Sequence, residues 1–339
     1  MTSDEKITLE HGGGGTKMMK LIAETVLKEF SLRKLGPVGL DELDDGATIP
    51  VGDKTLVFTT DSHTVKPLFF PGGDIGKLAV SGTVNDLAMM GGRPLAMACA
   101  VVVEEGFPVE DFRRICKSMD AVSREVNIPL VTGDLKVMEK GALDKIVMTT
   151  TGVGIADELK TDSLLRPGQK IIITGTIADH GATILASREG IEVEGELCSD
   201  VAPLWGVVES ALKAGKVSAM KDPTRGGVAS ALNEMASKSN VGVVLEEEKI
   251  PISGPVKNLC EMLGLDPLTL TNEGKAVIGV APEDCKAVLE AIRKTKYGEN
   301  AAVIGEVTKE NPKSVILKTA VGGSRLVRAP AGDPIPRIC

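Results

Sequence analysis

An alternation constrains this chain more than any other feature. Apolar runs of strand length (residues 56–60, 96–103, 145–151, 171–174 and 276–280) alternate with segments whose apolar residues recur at helical spacing. That order predicts an α/β unit joined to an α+β unit. The plainest helical stripe follows a glycine run and comprises Met19, Ile22, Ala23, Val26, Leu27 and Phe30. A polar stretch, "ELKTDSLLRPGQK", carries Pro-Gly just before a new strand and marks a boundary. The expected units are residues 1–158, residues 159–325 and a tail of residues 326–339. Aromatic residues make up only 2%, so both cores must be built from Val, Ile, Leu, Met and Ala.

The totals exclude several function classes. With 42% hydrophobic and 25% charged residues, the chain has a globular balance. A formal charge of −8 argues against a nucleic-acid surface. No apolar run approaches the ~18 residues of a membrane span. The start, "MTSDEKITLEHGGGG", lacks the apolar core of a signal peptide, so a cytoplasmic protein with free thiols is expected. Cys99, Cys116 and Cys260 sit in apolar surroundings and are expected to be small core residues. Cys339 differs, because it ends "AGDPIPRIC", a segment stiffened by Pro330, Pro334 and Pro336. A prenylation signal would place its cysteine elsewhere. At ~3.1 Å per residue, nine such residues could carry the thiol roughly 28 Å.

Several motifs suit phosphate chemistry. "HGGGGTK" contains His11, Gly12, Gly13, Gly14 and Gly15 and opens directly into the first helix, where backbone amides can gather an anion. A flexible linker would look the same. Among the acids, Asp44, Asp45, Asp61 and Asp86, the last is the most telling. It shares a helical stripe with Ile75, Leu78, Ala79 and Gly82, where a carboxylate is costly without a partner or metal. Asp61 lies toward the end of a strand, a common ligand position. "VTGDLKV" places Asp134 and Lys136 on one side of an extended chain, which also suits a surface ion pair. "MKDPTRGGVASALNEM" leads from Asp222, Thr224 and Arg225 through two glycines into a helix, a second candidate anion turn or a plain capped turn. Glu273, before a strand in "LTNEGKAVIGV", means little alone.

Taken together, "LEHGGGG", "DDGATIP", "FTTDSHTVKPLFFPGGDIGKLAVSGTVNDLAMMGG", "VTGDLKV", "MKDPTRGGVASALNE", "TNEGK" and the final "PRIC" resemble the HypE family, the carbamoyl dehydratases of hydrogenase maturation. The resemblance implies a PurM-like two-domain architecture: an N-terminal α/β domain that dimerises through its sheet, a C-terminal α+β domain and an extended tail. It implies ATP and Mg²⁺ in the cleft. Asp45, Asp61, Asp86 and Asp222 match the family's metal and phosphate ligands, with Asn85 beside them. The loop from His11 to Gly15 matches the segment over the phosphates, while Thr224 and Arg225 match cofactor contacts. Asp134, Lys136 and Glu273 match polar positions near the reacting group, and Cys339 matches the modified residue. The implied partners are the HypF carbamoyltransferase, the HypC–HypD iron-carrying complex and a second copy of the chain, with no nucleic acid and no membrane. The implied reaction turns a carbamoyl group on the Cys339 sulfur into a cyano group. Glu273 is the expected base, with Lys136 holding the oxygen or phosphate.

Rivals remain on sequence grounds. A selenophosphate synthetase would carry a reactive Cys or selenocysteine in the first glycine loop, which has none. A thiamine-monophosphate kinase would have no use for the final cysteine. A non-catalytic carrier would show no ATP turnover, and a persulfide or metal relay would need ligands beside Cys339.

Overall fold

The computed structural model describes residues 6–13, 15–332, 335 and 337–339. In chain order come α1 (Gly15–Glu24) and α2 (Val26–Glu29), then β1 (Ala47–Val51), β2 (Lys54–His63) and a small hairpin of β3 (Phe69–Phe70) and β4 (Gly73–Asp74). The first unit continues through α3 (Ile75–Met89), β5 (Arg93–Glu104), α4 (Val109–Val126), β6 (Leu130–Met138) and β7 (Ile146–Ala156). Its sheet has the order β1-β2-β7-β5-β6; only β5 and β6 run parallel. β7 shows why this sheet is half-buried. Its burial alternates strictly, with Ile146, Met148 and Thr150 turned inward.

α3 lies at the centre of the molecule. Asp74 caps it by accepting hydrogen bonds from the backbone N–H of Gly76 (2.8 Å) and Lys77 (3.0 Å). Nearly every residue of α3 is buried, because the sheet covers one side and the second unit covers another. Ala88 and Met89 at its end pack with Leu204, Val207 and Val208 of that unit.

The second unit begins at β8 (Lys170–Ile173) and continues with α5 (Asp179–Glu189), α6 (Trp205–Ala214), β9 (Val217–Lys221) and α7 (Gly227–Ser239). It then adds β10 (Gly242–Glu246), α8 (Gly254–Leu263), β11 (Val277–Val280), α9 (Cys285–Arg293), β12 (Ala302–Thr308), β13 (Ser314–Lys318) and β14 (Ser324–Val327). The sheet order is β14-β13-β10-β12-β8-β11-β9. β7 ends at Ala156 and β8 begins at Lys170. Antiparallel pairing of β14 with β13 carries the second sheet to Val327. On α7, Val228, Leu232, Met235 and Ala236 are buried as one face.

Two local expectations change. The stripe from Met19 to Phe30 does not build one packed helix. Thr25 interrupts it, bonding its hydroxyl to the Leu21 carbonyl at 2.6 Å, and neither α1 nor α2 buries a residue. Cys99 and Cys260 are core residues, and burial pushes both thiols up to about 11. Cys116 is exposed: the buried stripe of α4 runs through Ile115, Met119 and Val122, and one residue is a turn of about 100° away. Among the described residues no helix is long and apolar enough to cross a membrane.

Candidate active site

A cavity of about 560 Å³ opens between the two units, lined from both. β2 contributes Thr59 and Asp61, α3 contributes Gly82 and Asp86, and the loop before β1 contributes Asp44 and Asp45. From the second unit come Lys221 and Asp222 at the end of β9, Thr224 and Arg225 in the following turn, and Glu273 before β11. The Met18, Met19 and Ile22 side of α1 faces this cavity, which explains why an apolar stripe stays uncovered. Cys339 lines the same space.

The acids hold one another in an unusual state. Burial, then the charges of Asp222, Asp61 and Asp45, push the Asp86 carboxyl well above the carboxylate range, opposed by a 2.7 Å hydrogen bond from the Thr59 hydroxyl. Burial and Asp45 push Asp222 up to about 8. Glu273 is raised well above its usual range by burial, then by Asp222, Asp61 and Asp200, with Arg225 opposing. One oxygen of Glu273 and one of Asp45 are buried with no hydrogen-bond partner. Such a wall of dry carboxylates is costly until a cation arrives.

Arg225 is held above its ordinary pKa chiefly by negative charge at Cys339, against its own burial, and next by Asp61 and Glu273. The thiol-bearing residue and the acids therefore meet around one guanidinium. Lys221 was not a candidate on sequence grounds, yet its Nζ lies 2.7 Å from Asp45 and 3.5 Å from Asp162 and Glu234. Burial of a lysine beside three carboxylates could only be found once β9 was placed against the first unit. No spacing in the chain announces it.

The four expected metal ligands reach one cavity, but not as a finished cage. Among the described residues no group of three acidic, His or Cys side chains is close enough to hold an ion unaided. Lys221 occupies one oxygen of Asp45. Mg²⁺ ordinarily takes one or two carboxylates and completes its shell with phosphate and water. Hard oxygen donors without partners fit that ion.

Other candidates are placed differently. Asn85 does not face the cavity. Next to Asp86 but about 100° round the helix, it donates to the Ala202 (3.1 Å) and Glu273 (3.3 Å) carbonyls and accepts from the Leu204 N–H (2.8 Å). It fastens α3 to the second unit and holds the turn that carries Glu273. Asn85→Ala should lower stability by roughly 3 kcal/mol, since it strands buried backbone groups, and thermal melting would register this. Asp134 and Lys136 lie on the exposed edge strand β6, bonded to each other at 2.8 Å, and do not line the cavity.

The glycine loop borders an adjoining cavity of about 900 Å³, reached by His11, Gly12, Gly13, Arg225 and Cys339. The His11 ring caps its own turn, accepting from the Thr8 N–H at 3.1 Å. Gly14 lies outside the described residues. Gly15 borders the acid-lined cavity, with φ of +68°, and an added Cβ would lie 2.4 Å from the Pro330 carbonyl. That loop and the tail thus touch.

The described residues at the end of the tail are docked against the body of the protein. Ile335 and Ile338 are buried, and the Thr64 N–H donates to the Cys339 main-chain oxygen at 3.1 Å. Pro334 and Pro336 lie outside the described residues.

Comparison with known proteins gives the family and the scaffold. Residues 43–156 match the family model of the AIR synthase related protein, N-terminal domain, and residues 166–318 match its C-terminal domain. A carbamoyl dehydratase HypE of Azotobacter vinelandii is 44% identical over 337 residues, 98% of this chain and 97% of that protein. The HypE–HypF complex contains a chain 42% identical, with a TM-score of 0.85 over 91% of this chain and 99% of that one. A HypE crystallised in complex with ATP is 40% identical, with a TM-score of 0.82 over 98% of this chain and 100% of its own. Matched over nearly its whole length, the chain belongs to the HypE family of carbamoyl dehydratases, on the two-domain AIR synthase related scaffold.

Proposed function

We propose that this protein uses ATP to dehydrate a carbamoyl group carried on the Cys339 sulfur, giving S–C≡N for the iron of a hydrogenase under maturation. One observation carries the reading: Cys339 lies in the same cavity as Asp86, Asp222, Arg225 and Glu273. An amide oxygen leaves poorly, so the γ-phosphoryl group of ATP is first transferred to it. Loss of both nitrogen protons and departure of phosphate then leave the nitrile, with ADP as the other product. The chain positions the two reactants and neutralises charge. Arg225 faces the developing negative charge, and Glu273 receives a proton from nitrogen. When bound, Mg²⁺ would supply charge neutralisation, with Asp86 and Asp222 the nearest fit.

A similar chain was crystallised with HypF, and the family resemblance supplies the other partners of this reading. A HypF-type carbamoyltransferase would load Cys339, and a HypC–HypD iron complex would take the product. A second copy pairing along β6 would cover its exposed Leu130, Val131, Leu135 and Val137 and give Asp134 and Lys136 an interface role. A cytoplasmic setting with free thiols completes the reading.

Intact mass spectrometry tests it. Incubation with a carbamoyltransferase, carbamoyl phosphate and ATP should add one carbamoyl group and then remove one water, both confined to the last peptide. A stable carbamoyl adduct in the presence of Mg²⁺ and ATP would sink the reading.

A further inference from the structure

The tail is received by a built site that none of the cavity residues explains. His180, on α5, is fully buried, and each ring nitrogen has a partner. The Val201 N–H donates to the Ser199 hydroxyl oxygen at 3.1 Å, leaving that hydroxyl to donate to Nδ1 at 2.7 Å. The Ile338 carbonyl, which can only accept, sets the tautomer: Nε2 carries the hydrogen and donates to it at 2.8 Å. The Phe70 ring meets the imidazole edge-on, with centroids 5.4 Å apart, and fixes its plane. Burial lowers the pKa of His180 and keeps it neutral, as this donor chain requires.

A second clamp lies alongside. Arg188, near the end of the same helix, donates to the Lys66 carbonyl at 2.5 Å and also to the Arg337 carbonyl. Arg337 reaches Asp144 of the first unit at 2.5 Å. The backbone from Arg337 to Cys339 is thus gripped at successive carbonyls, by groups that read main chain rather than side chain.

We propose that His180, oriented by Ser199, is a positioning residue that fixes the docked register of the tail and so places the Cys339 sulfur in the acid-lined cavity, with Arg188 as its companion. The proposal rests on the dehydratase reading for its purpose, though not for its geometry. A tail that leaves to be loaded takes the acceptor of the buried His180 N–H with it, and remaking that bond favours return. A main-chain grip also holds the tail alike whether the sulfur bears hydrogen, carbamoyl or cyano.

The test follows Cys339 alkylation by iodoacetamide without ATP, quantified on the last peptide by mass spectrometry. His180→Phe keeps an aromatic ring but removes the donor, and should speed Cys339 alkylation about fivefold, the usual worth of one such bond. Arg188→Ala, on a partly exposed side chain with less risk to folding, should act in the same direction, and Arg188→Lys should fall between it and the parent. If the buried variant fails to fold, Arg188→Ala carries the test. Labelling as slow as the parent's in every folded variant would overturn the proposal. A parent that labels as described but never dehydrates a carbamoyl group would overturn the reaction instead.

Discussion

Glu273→Gln lowers the rate of conversion of carbamoylated Cys339 to the cyano form by roughly 10²–10⁴, the usual contribution of a positioned base. The substitution keeps shape and size while removing the charge that receives a proton. Glu273 fits that part because it lines the shared cavity and one of its oxygens is buried without a partner. Its raised pKa makes it a strong base once ionised, and Arg225 is the cation that favours ionisation. The sign for pH follows. Dehydration should rise with pH through the elevated pKa of Glu273, and Arg225→Ala should move that rising limb to higher pH. Single-turnover conversion of pre-carbamoylated protein, read by mass, measures both. A Gln variant that converts at the parent's rate would remove Glu273 from the role.

What the sequence made visible was whatever local energetics could betray. Asp86 stood out because a carboxylate in an apolar stripe must be compensated, and its neighbourhood in space is the compensating site. The glycine turn ahead of α7 was visible for a similar reason, since Gly226 and Gly227 adopt φ of +76° and +61°. Asn85, Lys221 and His180 were not recoverable that way. Each is defined by a partner more than 100 residues distant in the chain or by a carbonyl that any residue type could present. Asp134 and Lys136 mark the opposite limit. Their local pairing was readable, and one folded chain leaves them on an edge where only another molecule can give them work.

Asp222→Asn should make the ligand-free protein more stable at neutral pH while lowering ATP-dependent conversion roughly a hundredfold, the scale for losing a preorganised charge contact. Asp222 is only 7% exposed, and its carboxyl is raised from 3.8 to about 8, by burial first and Asp45 second. Between those values the folded chain holds a proton that the unfolded chain has released. The stabilisation it provides is therefore present in acid and lost as pH rises from about 4 to about 8. A tenfold change in proton affinity is worth about 1.4 kcal/mol, so the window amounts to on the order of a few kcal/mol. At roughly 1–2 °C per kcal/mol for a protein of this size, melting curves would resolve it. Other acids also titrate near pH 4, so the informative quantity is the parent melting temperature minus that of the Asn variant. This difference should become steadily more negative as pH rises to 8. Mg²⁺ with ATP should reverse the trend in the parent alone, because a cation beside Asp222 stabilises the ionised carboxylate that bare burial penalises. A flat difference across that range, or an Asn variant that converts at the parent's rate, would show that Asp222 neither strains the empty cleft nor serves the filled one.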